Sequence, residues 1–386
     1  MLWIYDFANA LVCIILIVIA CRIKIIPLWI GYILGIYSFL PFFINDFLFQ
    51  AEYMVDQFSY VAVVKEARSL NFLTEIVTSD KYETGIDKNF IAQIDWKTLL
   101  TGWSLALLPL PFTETVSSLG FFNRFLFILI FLWLYKKNFL NGISLFFILF
   151  YPSFVLYTSL SLRDPLVTSL MIVSVIFLIE KKYLSFLISI APIYFLKFQN
   201  FYIMLALFLI YILFQRETFV YRIRYVLIGL IVIGFTPFVD QIISYMNIVH
   251  IGMINENGGT FENYKNYDGI YDLIKNSVFA FPNFLMKPLP WDAINSLQAI
   301  QSIENMFVLI FLIIFTSLAY KKSVLITNKW LLFLIFSLTI YGLVIVNIGT
   351  SARYRYPFIL TYVIGLSYEL YKMHNFRFNN IFKIKF

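Results

Sequence analysis

Four cations standing between hydrophobic runs are the residues of this chain best suited to chemistry: Arg163, Lys197, Arg353 and Arg355. Arginine carries a planar fork of N–H donors that matches phosphate oxygens, and lysine adds a point charge. Counted by helix rise from the nearest basic cluster across an apolar run, Lys197 lies about 22 Å from Lys182, Arg163 about 27 Å from Lys181 and Arg355 about 25 Å from Lys372. The hydrocarbon core of a bilayer is about 30 Å thick. These positions therefore reach the depth of one leaflet's head groups and first methylenes. Cations there suit an anionic lipid head group, and a lipid-linked diphosphate is the natural ligand. The competing reading is that each cation snorkels to the interface without a ligand.

Their neighbours extend the site. Asp164 follows Arg163 and precedes Pro165, which suits a first helical position; an acid there complements the helix dipole and could equally orient Arg163. Gln199 and Asn200 after Lys197, Tyr354 between the two arginines, Trp291 and Glu304 are further substrate-contacting candidates. Aromatics mixed with acids suit stacking on sugar rings, and an aromatic interfacial belt is the competing reading for most of the tyrosines. Arg124 falls near the middle of an apolar run, where an unpaired charge is expensive. It is expected to line the same chamber from below, or to pack against an acid such as Glu114 or Glu304. Glycosyl transfer needs a group that deprotonates or orients a sugar hydroxyl, plus positive charge on the leaving diphosphate. The acids available are Asp46, Asp56, Asp164, Asp272, Asp292 and Glu304, with Asp56 in the first external loop the favoured one. No Gly-rich phosphate loop occurs, so a lipid-linked donor fits better than a nucleotide. Two histidines (His250, His374) and two cysteines (Cys13, Cys21) are too few for a His-rich zinc centre or a histidine-based acyltransferase motif, and neither metal nor cofactor is expected.

These residues must be held by membrane helices. With 386 residues, 61% hydrophobic and only 13% charged, the chain is too apolar for a water-soluble domain. It reads as one all-α polytopic integral membrane domain over residues 1–386. About eleven spans are expected, at 3–21, 25–47, 115–135, 140–160, 165–180, 183–196, 200–215, 225–246, 306–320, 330–348 and 356–371. Basic clusters at Arg22/Lys24, Lys136/Lys137, Lys181/Lys182, Arg216/Arg222/Arg224, Lys321/Lys322/Lys329 and the C-terminal tail occupy every second boundary, which puts them in the cytosol and the N-terminus outside. The 99–112 segment, broken by Pro109 and Pro111, is expected to be re-entrant or interfacial on the outer face. Two long external loops follow, at about 48–98 and 247–305, the first with an amphipathic stretch near Tyr60–Arg68 that suits the interface. The net charge of +7 sits mostly at the inner boundaries and implies anionic lipid rather than nucleic acid. The first apolar run lacks a positive n-region and is not read as a removable signal peptide.

At Ser161-Leu162-Arg163-Asp164, at Pro288-Leu289-Pro290-Trp291 followed by Glu304-Asn305, and at Asn347 to Phe358 with its Ala352-Arg353-Tyr354-Arg355 core, the chain resembles bacterial O-antigen polymerases of the Wzy type. The likeness extends over the whole chain in length, span number and loop placement. It implies an inner-membrane glycosyltransferase of lipopolysaccharide biosynthesis. Such an enzyme joins undecaprenyl-diphosphate-linked repeat units on the periplasmic face, moving the growing chain from its lipid to a new unit without metal. It further implies that Arg163, Arg353 and Arg355 bind the two lipid diphosphates and stabilise the departing one, with a chain-length regulator as a candidate protein partner. The family's large periplasmic loop usually bears arginine, whereas the 247–305 loop here has Lys265, Lys275 and Lys287 and none. Two alternatives stay open: a multi-span transferase using a lipid-phosphate sugar, and a flippase for lipid-linked glycan.

Overall fold

The structure is a computed structural model and describes residues 3–44, 56–68, 96–113, 115–140, 142–215, 219–254 and 266–374. Among the described residues every regular element is helical. In chain order the α-helices are α1 (Trp3–Arg22), α2 (Leu28–Tyr37), α3 (Leu40–Phe43), α4 (Asp56–Arg68), α5 (Trp96–Ala106), α6 (Val116–Lys136), α7 (Gly142–Phe150), α8 (Pro152–Tyr157), α9 (Asp164–Ile179), α10 (Tyr183–Leu196), α11 (Phe198–Leu213), α12 (Phe219–Phe235), α13 (Val239–Ile254), α14 (Ile270–Met286), α15 (Ser296–Tyr320), α16 (Val324–Val344) and α17 (Ile348–His374). Three of them, α6, α15 and α16, are long and apolar enough to cross a membrane.

The helix ends follow from local chemistry. Thr115 and Ser118 form a capping box at the start of α6, and the side chains of Asn295 and Ser323 cap α15 and α16. At the other end, α1, α6 and α9 all close in the same way. Lys24, Asn138 and Lys181 take left-handed φ values of 56°, 56° and 60°. The next residue in each case, Ile25, Phe139 or Lys182, donates its N–H to the carbonyl five residues back at 2.9 Å. This is a Schellman ending built without glycine.

Several expected spans are interrupted. The 140–160 run is two helices divided at Tyr151, because Pro152 cannot extend the preceding helix, and the 25–47 run is divided between α2 and α3. A 3-10 turn, Thr236–Phe238, separates α12 from α13. The 247–305 loop contains the second half of α13, all of α14 and the first ten residues of α15. Arg353 and Arg355, expected on a turn, lie in the second turn of α17. The 99–112 segment is the short helix α5, about 16 Å long, followed by irregular backbone to Thr113.

The chain divides into two compact units, Met1–Phe201 and Tyr202–Arg377. In the first, α6 is the central helix, with Leu119, Phe121, Phe122, Ile128 and Phe131 fully buried. It packs on α1, α3, α4 and α9, and α9 with α10 forms an antiparallel hairpin turned by Glu180–Lys182. A Cβ on Gly120 would stand 2.3 Å from the Ser159 carbonyl oxygen, so this backbone contact requires glycine. In the second unit, α16 is flanked by α14, α15 and α17. The buried Lys329 of α16 pairs with Glu369 of α17, whose second oxygen accepts the Trp330 indole N–H at 2.7 Å.

Candidate functional site

The first candidate site is the Thr158–Asp164 turn leading into α9. Its backbone cannot form helix, so its polar groups need other partners. Asn123 Nδ2 donates to the Leu160 and Leu162 carbonyls at 2.6 and 2.8 Å. Gln57 Oε1 accepts from Ser161 N at 2.9 Å, and Ser161 Oγ donates to the Val116 carbonyl. Arg163 occupies the N-cap position, half-buried, with Pro165 in the first turn as its sequence position implies. Asp164 is 1% exposed, and its carboxylate meets Lys197 Nζ at 2.7 Å.

That ion pair joins the N-terminus of α9 to the C-terminus of α10. Each charge also sits at the dipole end that favours it. The pair fixes Arg163 and Lys197 at the same end of the hairpin, with Lys181 and Lys182 at the other, which agrees with the depth counted from the sequence. It also gives Lys197 and Asp164 a scaffolding task, since both are enclosed. Asn200 is buried beside them, its Nδ2 3.3 Å from Met171 Sδ, while Gln199 is half-exposed. Lys97 of α5 lies 5.0 Å above the Phe198 ring.

The second site lies where α14 ends. Arg355, 2% exposed, donates from Nη1 to the carbonyls of Leu285 at 2.9 Å and of Phe284 and Lys287 at 3.3 Å, and from Nη2 to Asn305 Oδ1. Asn305 Nδ2 in turn donates to the Met286 and Pro288 carbonyls at 2.9 and 3.1 Å. The guanidinium expected to grip phosphate is therefore a helix C-cap, satisfying carbonyls that α14 leaves open. Arg353 is buried with its guanidinium 5.6 Å from the Tyr354 ring, and Tyr354 packs on Tyr341 with centroids 5.6 Å apart.

The same device recurs twice in the first unit. Arg124 is wholly enclosed. Its Nη2 donates to the Val155 carbonyl at 2.7 Å and to Ser159 Oγ, between the rings of Tyr37 and Phe127. These partners close the end of α8, and neighbouring Asn123 holds the turn beyond it. Arg68 donates from its three nitrogens to the carbonyls of Ala106, Leu108 and Leu110 past the end of α5, while Asn9 exchanges bonds with Phe112 at 2.9 and 3.3 Å. Each of these three breaks in regular backbone thus has one arginine and one asparagine attending to it. A desolvated carbonyl without a donor costs roughly 1–3 kcal/mol, and a guanidinium with five N–H groups answers several at once.

Among the other expected residues, Trp291 is 77% exposed on a turn and Glu304 is half-exposed on α15. Asp56 opens α4, but its side chain, like Asp46 and Glu114, lies outside the described residues. The residues that hold the turn, Gln57 and Asn123, escape a search for ionisable groups. The available signal was a second polar residue beside Asp56 and beside Arg124 in otherwise apolar surroundings. Among the described residues no group of three or more His, Cys, Asp or Glu side chains is placed to hold a metal ion.

Comparison with protein-family models, curated proteins and solved structures finds no match. Function is therefore argued from the residues alone.

Proposed function

We propose that this chain is a glycosyltransferase of a bacterial inner membrane. In this reading it polymerises undecaprenyl-diphosphate-linked oligosaccharide repeat units, transferring the growing chain to a new unit on the outer face. The resemblance at residues 161–164, 288–291 and 347–358 motivates the reading. The observation that supports it best is Arg163. The residue is half-buried at one end of an apolar hairpin, next in sequence to the enclosed Asp164 of the Asp164–Lys197 pair, and ionisable groups kept at such an expense in apolar surroundings mark functional sites. In this reading Arg163 and Arg353 each bind a lipid diphosphate, and an acid, Glu304 or Asp56, orients the sugar hydroxyl. Arg355, Arg124, Asp164 and Lys197 position the backbone and touch no substrate. The reading includes about eleven spans, with the N-terminus outside and the C-terminus in the cytosol.

The test uses purified protein with undecaprenyl-diphosphate repeat units as the only substrate, in the presence of chelator and without nucleotide. A ladder of polymer is the expected result. Strict dependence on a nucleotide sugar or a divalent ion would overturn the mechanism. In cells, deletion should leave surface lipopolysaccharide bearing single repeat units. Bare core with lipid-linked units retained inside would point to the flippase instead.

A further inference from the structure

We infer that α14 is an interfacial helix, lying obliquely at the boundary of the bilayer with one side in the acyl chains. Depth comes first. The two candidate spans of the second unit, α15 and α16, are joined by the short turn Lys321–Ser323, and heights can be counted from it. Asn305 stands about 22 Å above this turn and Gly342 about 27 Å, both within a hydrocarbon core of about 30 Å. Asn305 bonds the Met286 and Pro288 carbonyls, and Gly342 meets Ala280 so closely that a Cβ would lie 2.4 Å from its oxygen. The C-terminal half of α14 is therefore at membrane depth. Its N-terminal half is somewhat higher, because Leu273 packs against the cluster that Tyr267, Ala280 and Leu343 form with Ile243 and Met246. From Leu273 to Met286 the helix is about 20 Å long, whereas Asn305 and Leu343, which mark its two halves, differ by about 6 Å in height, so it runs obliquely to the membrane normal.

The side chains then sort into three arcs around the axis. Ala280 and Phe284, with the partly buried Leu273 and Ser277, face α16 and its neighbours. Over the N-terminal half Ile270, Tyr271, Ile274 and Val278, 49–77% exposed, fill the adjacent 100°, and towards the C-terminus the half-buried Phe281 and the buried Leu285 continue the same arc into the protein. Lys275, Asn276, Asn283 and the half-exposed Asp272 occupy the remaining side, together with Phe279, Pro282 and Met286. Exposed apolar, exposed polar and buried arcs in this order are what a helix at a lipid surface requires. The occupant of the apolar arc is bilayer hydrocarbon, since at the same height α15 also exposes Ile303 and Phe307. The full 247–305 segment is thus in part a membrane-contacting element.

The test places single cysteines, in a Cys13→Ala/Cys21→Ala background, at Ile274 and Val278 and at Lys275 and Asn276. The full chain is labelled with an environment-sensitive fluorophore and reconstituted in phosphatidylcholine–phosphatidylglycerol vesicles. Variants are kept whose thermal midpoints match the background, and all four positions are exposed enough for that. Acyl-chain nitroxide lipid should quench labels at 274 and 278 at least about threefold more than those at 275 and 276, with iodide showing the reverse order. Equal iodide quenching at all four sites would place the helix in water. Protection of 274 and 278 from both quenchers would mean that protein covers the arc. Either result overturns the proposal.

Discussion

Asn305 and Arg355 meet over the end of α14, the amide oxygen of one accepting from the guanidinium of the other while both donate to carbonyls between Phe284 and Pro288. Neither group is spare for a ligand. Arg355→Ala should lower the stability of the detergent-solubilised protein by about 2–4 kcal/mol, since it leaves several carbonyls without donors. Asn305→Ala should cost less, and the double variant should cost less than the sum of the two, because they share one set of acceptors. Thermal unfolding of the three variants measures this. An unaltered midpoint for Arg355→Ala would return that residue to the list of ligands.

The Asp164–Lys197 pair behaves differently when broken from one side or both. Lys197→Met or Asp164→Leu alone leaves an enclosed charge without its partner and should cost about 3–5 kcal/mol. The double replacement should recover most of the loss. Midpoints of the three variants decide it, and a double variant as damaged as the worse single would mean the charges act separately.

Arg163 offers the sharpest functional contrast. Arg163→Ala should abolish polymer while leaving the amount of inserted protein unchanged, and Arg163→Lys should restore only part of it, since a point charge cannot reproduce a bidentate grip on phosphate. Glycan gels read alongside protein blots test both halves. Full activity of Arg163→Ala would favour snorkelling.

Close packing in the second unit gives a prediction free of function. Gly342→Ala sets a methyl 2.4 Å from the Ala280 oxygen and 2.9 Å from Phe284 Cβ, an overpacking expected to cost about 1–3 kcal/mol. Gly229→Ala in α12 meets nothing within 4 Å and should be neutral or mildly stabilising, because alanine favours helix by up to about 1 kcal/mol.

The helical class and the α9–α10 hairpin were legible in the sequence, because apolar runs and basic clusters are local signals. The shared end of Arg163 and Lys197 was legible too, since helix rise converts residue number into height. What bound them was hidden: Asp164 is 33 residues from Lys197, and no local pattern pairs them. The task of Arg355 was hidden for another reason. Its acceptors are main-chain carbonyls, which every residue has, so nothing in the side chains of 284–287 announces them. Arg124 was read correctly as expensive to bury, but its partners were again a carbonyl and a hydroxyl rather than an acid.

The glycine-free endings of α1, α6 and α9 put two demands on the same three positions. A left-handed residue that is not glycine costs roughly 1–2 kcal/mol, so glycine at Lys24, Asn138 or Lys181 would make the turn easier to form. At Lys24 and Lys181 that gain would delete a cation from a basic boundary. At Asn138 it would not, because Lys136 and Lys137 immediately before it already carry the charge. The chain thus tolerates conformational strain where the residue also carries a positive charge at a helix end. At the third ending it adopts asparagine, which after glycine enters the left-handed conformation most readily.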